Sequence, residues 1–157
     1  MFGFGKKAAL LAPMTGRSIL VTETPDPVFA DKILGDGVAV QPTDGAVYSP
    51  CDGAVVQVAN TLHSVAITSD DGLDVLVHCG INTVDLKGEG FTVLVKEGDK
   101  VTAGQKIMTM DLALVEARGL SAASPCIITN MDALKDYAFE TGAVTGGKSP
   151  VVTYKVK

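Results

Sequence analysis

Ser64-Val-Ala-Ile-Thr-Ser-Asp-Asp-Gly-Leu-Asp-Val-Leu-Val-His78 is the stretch from which the fold is read. Its two arms are rich in Val, Ile, Leu and Thr, and Ser69-Asp70-Asp71-Gly72 between them is turn chemistry. The pattern predicts two antiparallel strands joined by a short loop. Loop length decides where the side chains at the open end point. An even loop pairs residues whose numbers sum to 141 and sets His63 opposite His78 on one face. A three-residue loop with Gly72 as its bulge shifts the sum to 142 and sends the two rings to opposite faces. A two- or four-residue loop is therefore expected if the histidines are to meet.

Working outward, similar runs recur at 18–22, 37–41, 53–59, 91–95 and 151–154. They are punctuated by Gly35-Asp-Gly37, Asp44-Gly45, Asp52-Gly53, Glu97-Gly98-Asp99 and Gly146-Gly147. Many short strands at such spacing predict an all-β protein, an antiparallel β-sandwich of barrel-sandwich type. Helix is the minority. Asp111 is expected to cap a helix over 112–118 with Gly119 just beyond it, and Asn130 a shorter turn through 131–135. The 157 residues fit one domain, 8–157, behind a flexible tail, 1–7.

Composition removes several classes of function. Lys+Arg number 13 against 18 Asp+Glu, a net charge of -5, and no basic cluster exceeds Lys6-Lys7. That argues against nucleic acid and against adhesion to an anionic membrane. No apolar run approaches the ~20 residues that span a bilayer, and Ala8-Ala-Leu-Leu-Ala12 meets Pro13 with no cleavage signal. Cys51, Cys79 and Cys126 are odd in number and widely spaced, which suits a reduced, cytoplasmic protein.

The chain has two histidines. Thr61, two residues before His63, can hydrogen-bond a ring nitrogen and fix its tautomer, and the carbonyls after His78, at Cys79-Gly80, can orient the other ring. A pair of imidazoles suits two chemistries, a phosphoryl acceptor attacking through a neutral Nε2 or half of a metal site.

At these residues the sequence becomes specific. Val77-His-Cys-Gly-Ile-Asn-Thr-Val-Asp-Leu-Lys-Gly-Glu-Gly-Phe91 resembles the signature of the glucose-family enzyme IIA component of the bacterial phosphoenolpyruvate:sugar phosphotransferase system. The likeness extends through Ala12-Pro-Met-Thr-Gly16, Pro25-Asp-Pro-Val-Phe-Ala30, Leu34-Gly-Asp-Gly-Val-Ala39, Ser49-Pro-Cys-Asp-Gly53, Thr61-Leu-His63 and Thr129-Asn-Met131. The resemblance implies a β-sandwich that accepts a phosphoryl group from the histidine-containing phosphocarrier protein and passes it to a cysteine of enzyme IIB. It maps the acceptor to His78, the auxiliary histidine to His63 and its support to Thr61. The Gly80 carbonyl would hold His78 Nδ1–H. Regulated permeases or kinases are further partners it allows.

The resemblance also implies an apolar docking surface at Val28, Phe29, Ile33, Leu76 and Val84, with Asp26 as an acid beside it. Pro25-Asp-Pro27 is expected to hold Phe29 in an exposed, rigid turn. Three positions depart from the family pattern. Asn82 stands where Asp is usual, Ala59 replaces an aromatic, and Cys79 replaces an apolar residue that would follow the acceptor.

Three alternatives compete with phosphoryl transfer. A composite zinc site would use His63 and His78 with a carboxylate from a partner, although no cofactor is required for transfer. A regulatory binding module would keep the fold without the chemistry. The run Lys96 to Ile107 resembles a hairpin of biotinyl and lipoyl carrier domains, but their modifiable lysine between Met residues or in Asp-Lys-Ala is missing.

Overall fold

Alternation of apolar and polar side chains becomes strands along most of the chain. The computed structural model describes residues 8–157, so the expected tail at 1–7 lies outside the described residues. The strands are β1 (Ala8–Leu11), β2 (Gly16–Leu20), β3 (Asp36–Pro42), β4 (Ala46–Tyr48), β5 (Gly53–Val58), β6 (Ser64–Ser69) and β7 (Asp74–His78). They continue with β8 (Phe91–Val93), β9 (Lys100–Val101), β10 (Lys106–Met110), β11 (Ser124–Ile128), β12 (Leu134–Phe139), β13 (Gly142–Val144) and β14 (Pro150–Val156). An eight-stranded sheet runs β13-β2-β3-β11-β7-β6-β5-β9, and two three-stranded sheets run β1-β14-β12 and β4-β10-β8. Every strand pairing is antiparallel. The all-β sandwich expected from the sequence is what forms.

The main core gathers one face of the large sheet against the two small ones. Val38 and Val40 of β3, Val65 and Ile67 of β6, Val75 and Val77 of β7, and Cys126 and Ile128 of β11 meet Leu10, Val47, Met108 and Val152 from the small sheets. Period two sends the intervening side chains to the opposite face. There Ile127 of β11 and Leu76 of β7 join Val21, Phe29, Ile81 and Ala123 in a second, smaller cluster. His78 is two residues on from Leu76 and shares that outer face.

The β6–β7 hairpin takes the odd register. Ser64 pairs with His78 and Thr68 with Asp74, and the ladder closes at Ser69 and Leu73. Residues 70–72 are thus a three-residue loop, with Gly72 at φ +93, where its missing Cβ relieves the left-handed conformation. The even loop that seemed necessary for the histidines to meet is not present.

Two α-helices form. α2 (Leu112–Ala117) begins where expected, with the Asp111 carboxylate accepting from Leu114 N–H at 3.1 Å, and Gly119 follows at φ +72. α1 (Pro27–Ala30) stands where the sequence predicts a rigid turn. Asp26 caps it by accepting from Val28 N–H at 2.9 Å, and Pro27 occupies the first helical position, where a missing N–H is harmless. Asn130 does not cap the short 3-10 turn that follows it. Its side-chain amide reaches across to the hairpin loop, accepting from Asp74 N–H and donating to the Gly72 carbonyl.

Candidate functional site

His78 ends β7, and its ring is turned by the next two residues. Gly80 takes φ +78, and the His78 Nδ1–H donates to the Gly80 carbonyl at 2.8 Å. A carbonyl only accepts, so the neutral ring carries its proton on Nδ1 and leaves the Nε2 lone pair free. His63 lies just before β6, on a turn in which Leu62 adopts φ +63. Such a conformation is uncommon for a bulky residue. Here it follows the bond from Leu62 N–H to the Ala59 carbonyl and brings Thr61 Oγ1 to within 2.8 Å of His63 Nδ1.

The two rings meet edge to face, with centroids 4.8 Å apart and an interplanar angle of 79°. They do so in the register that should separate them. Alternation governs residues with regular strand backbone, and His63 precedes β6 directly after the left-handed Leu62, although its carbonyl still accepts from Cys79 N–H at 2.8 Å. The turn therefore sets its direction.

Phe29 closes another side of His78, ring centroids 4.9 Å apart. It is 4% exposed, so the expectation of an exposed aromatic fails. The Asp26 cap winds Pro25-Asp-Pro27 into α1 rather than an open turn, and the first helical turn faces Phe29 inward against Val21, Ile81 and Ile127. The rest of the expected surface divides. Val28, Ile33 (67% exposed) and Val84 are exposed, Asn82 is exposed at φ 61, and Leu76 is half-buried beside the small cluster.

Burial pulls the His78 imidazole down to about 4, with His63 adding to the effect and the Gly80 carbonyl and Asp26 opposing it. Burial also lowers His63 below the ordinary histidine value. Both rings are therefore neutral at pH 7. Cys79 points into the main core with Sγ 3.8 Å from Met108 Sδ, and burial pushes its thiol up to about 12, so it is inert packing beside the site. Among the described residues, no group of three or more His, Cys, Asp and Glu is placed to hold a metal. Two imidazoles alone do not complete a tetrahedral zinc shell. Two hydroxyls that sequence reasoning passed over, Thr83 and Ser124, bond the Cys79–Gly80 peptide. Thr83 is local to the peptide it holds, four residues from Cys79, whereas Ser124 is 44 residues from Gly80 and carries no sequence signal.

The fold and this pair define a class, β-sandwich proteins that set two neutral imidazoles side by side at the end of a hairpin. The family follows from comparison. A sequence model for the phosphoenolpyruvate-dependent sugar phosphotransferase system, EIIA 1, matches residues 8–134, and the chain belongs to that family. It is a phosphotransferase component of sugar transport, a phosphoryl carrier. Among its relatives, the PTS system glucose-specific EIIA component of Bacillus cereus is 41% identical over 161 residues, covering 100% of this chain and 98% of the relative. The component so named in Staphylococcus aureus is 41% identical over 157 residues, covering 97% and 95%. A solved structure, glucose permease IIA from Mycoplasma capricolum, superposes with a TM-score of 0.87 at 34% identity, covering 97% of this chain and 99% of that one. Among the described residues no helix is long and apolar enough to cross a membrane.

Proposed function

We propose that His78 is the residue that carries the phosphoryl group, taking it from the histidine-containing phosphocarrier protein and giving it to a cysteine of enzyme IIB. The observation that carries this reading is the bond from His78 Nδ1–H to the Gly80 carbonyl, which leaves Nε2 as a nucleophile in a neutral ring. In the forward step, Nε2 attacks phosphorus in line. The N–P bond of the donor breaks, and its electron pair returns to the donor imidazole. No proton moves, and the positive charge on the phosphorylated ring is met by the Gly80 carbonyl. The work is positioning and charge stabilisation.

His63 serves the second half of the exchange. With Thr61 Oγ1–H donating to its Nδ1, the His63 proton sits on Nε2 and is available to a phosphoryl oxygen. That donor stabilises the charge that develops as the group leaves. The exposed Val28, Ile33 and Val84, with half-buried Leu76, form the apolar surface on which both partners dock, and Phe29 contributes from beneath as a wall against His78. The names of the relatives favour glucose as the sugar served, and the three buried thiols favour the cytoplasm.

The test is incubation with phosphoenolpyruvate, enzyme I and the phosphocarrier, followed by mapping of acid-labile phosphate. Label is expected on His78 and is lost in His78→Gln. His63→Gln is expected to accept phosphate at close to the normal rate and to deliver it to enzyme IIB about a hundredfold more slowly. Label on another residue would refute the assignment of His78, and unimpaired delivery by His63→Gln would refute the role of His63.

A further inference from the structure

Glycine is the residue least able to hold its own backbone still, yet the carbonyl that orients His78 belongs to Gly80. The two peptide planes flanking Gly80 are pinned at every polar end. In the Cys79–Gly80 plane, the Cys79 carbonyl accepts from Thr83 Oγ1 at 2.5 Å, and Gly80 N–H donates to Ser124 Oγ at 3.1 Å. In the Gly80–Ile81 plane, Ile81 N–H donates to the Ser121 carbonyl at 2.9 Å, and the Gly80 carbonyl is left to receive His78 Nδ1–H. Ser124 Oγ–H in turn donates to the Ala122 carbonyl at 2.9 Å. Thr83 and Ser124 are both 0% exposed, so water cannot replace either hydroxyl. The Thr83 methyl also packs where Gly80 has no side chain, and a Cβ there would come within 2.4 Å of it.

We propose that Thr83 and Ser124 are positioning residues for phosphoryl transfer. By clamping the Cys79–Gly80 peptide from its two ends, they hold the Gly80 carbonyl on His78 Nδ1 and so keep the lone pair on Nε2. This rests on His78 being the acceptor. Neither hydroxyl contacts the ring. Ser124 stands on β11, the neighbour of β7 in the large sheet, so the clamp refers the tautomer of one histidine to the frame of the whole sheet. Without it, Gly80 rocks, Nδ1–H loses its acceptor and the proton divides between the two ring nitrogens. The fraction of molecules able to attack then falls.

The full chain, with histidine labelled in 15N, distinguishes the tautomers directly. Thr83→Val keeps shape and methyl but drops the hydroxyl, Ser124→Ala drops the other, and Thr83→Ser restores a hydroxyl without the methyl. At pH 7.5 the unaltered protein and Thr83→Ser are expected to show one Nδ1–H tautomer at His78. Thr83→Val and Ser124→Ala are expected to show a mixture, with phosphate acceptance about five- to tenfold slower and KM for the phosphocarrier unchanged. Folded variants with a pure Nδ1–H tautomer and normal rates would overturn the proposal. If Ser124→Ala does not fold, the contrast of Thr83→Val with Thr83→Ser decides it. Failure of the unaltered protein to take phosphate on His78 would sink the functional reading instead, and the tautomer ratio would still judge the clamp.

Discussion

His78 combines two properties that oppose each other in water, a free nucleophilic nitrogen and resistance to protonation. Burial and the neighbouring His63 pull its pKa to about 4, well under the ordinary 6.5. A ring left in solvent loses its lone pair as the pH drops through 6.5, whereas this one is expected to hold it. An NMR titration should place the His78 midpoint near pH 4 and that of His63 below 6.5. A His78 midpoint at 6.5 would mean that the ring is not shielded as the geometry requires. At this scale the sequence was most informative, because the decisive contacts are local. Thr61 and Gly80 each lie two residues from the histidine they orient, and local bonds are readable from spacing. Phe29 illustrates the converse. Its exposure depends on the four-residue turn that contains it winding inward, which no single side chain announces.

At the scale of elements, α1 shows how a cap redirects a segment. Two prolines around an aspartate read as a rigid turn, but Pro27 fits the first helical position and Asp26 supplies the acceptor for Val28 N–H. Asp26 therefore caps α1, and substitution can separate that role from the proposed docking role of its charge. Asp26→Asn keeps a capping oxygen and removes the charge; Asp26→Lys removes both. The amide variant is expected to associate with a basic phosphocarrier more slowly at low salt, with the difference fading at 1 M salt and the melting temperature unchanged. The lysine variant should show the same kinetic loss and in addition be less stable by about 1 kcal/mol. Equal association rates for all three proteins at low salt would remove Asp26 from the docking surface. The hairpin gives the complementary lesson. Strand existence was legible in 64–78, but register hung on one residue of loop length, and the facing of His63 hung on a left-handed Leu62 that no pattern signals. Strands that alternate poorly carry no such signal. β11 is buried at all five positions and contains Pro125, so it offers neither period two nor an unbroken ladder, although it lies at the centre of the large sheet. Pro125 stands opposite Ala39 of β3, one residue before the pairing with β7 begins at Cys126.

Across the whole molecule, keeping two imidazoles uncharged links the chemistry to global stability. The unfolded chain takes up a proton on His78 near pH 6.5, and the folded chain does so only near pH 4. Between those values the unfolded state binds more protons, so stability falls as the pH falls. The contribution is fully present above 6.5 and is lost by about pH 4. The shift corresponds to at most about 3 kcal/mol, and the lowered His63 adds in the same direction. His78→Gln removes the larger part of this dependence while leaving the carboxylates of the molecule as they are. Urea unfolding of both proteins at pH 7.5, 5.5 and 4.5 isolates it. The unaltered protein is expected to lose more stability than His78→Gln across that range, and the gap between them should close or invert toward acid. Parallel curves for the two proteins would mean that the ring protonates freely in the folded state, and that the packing of Phe29 and His63 against it does not shield it.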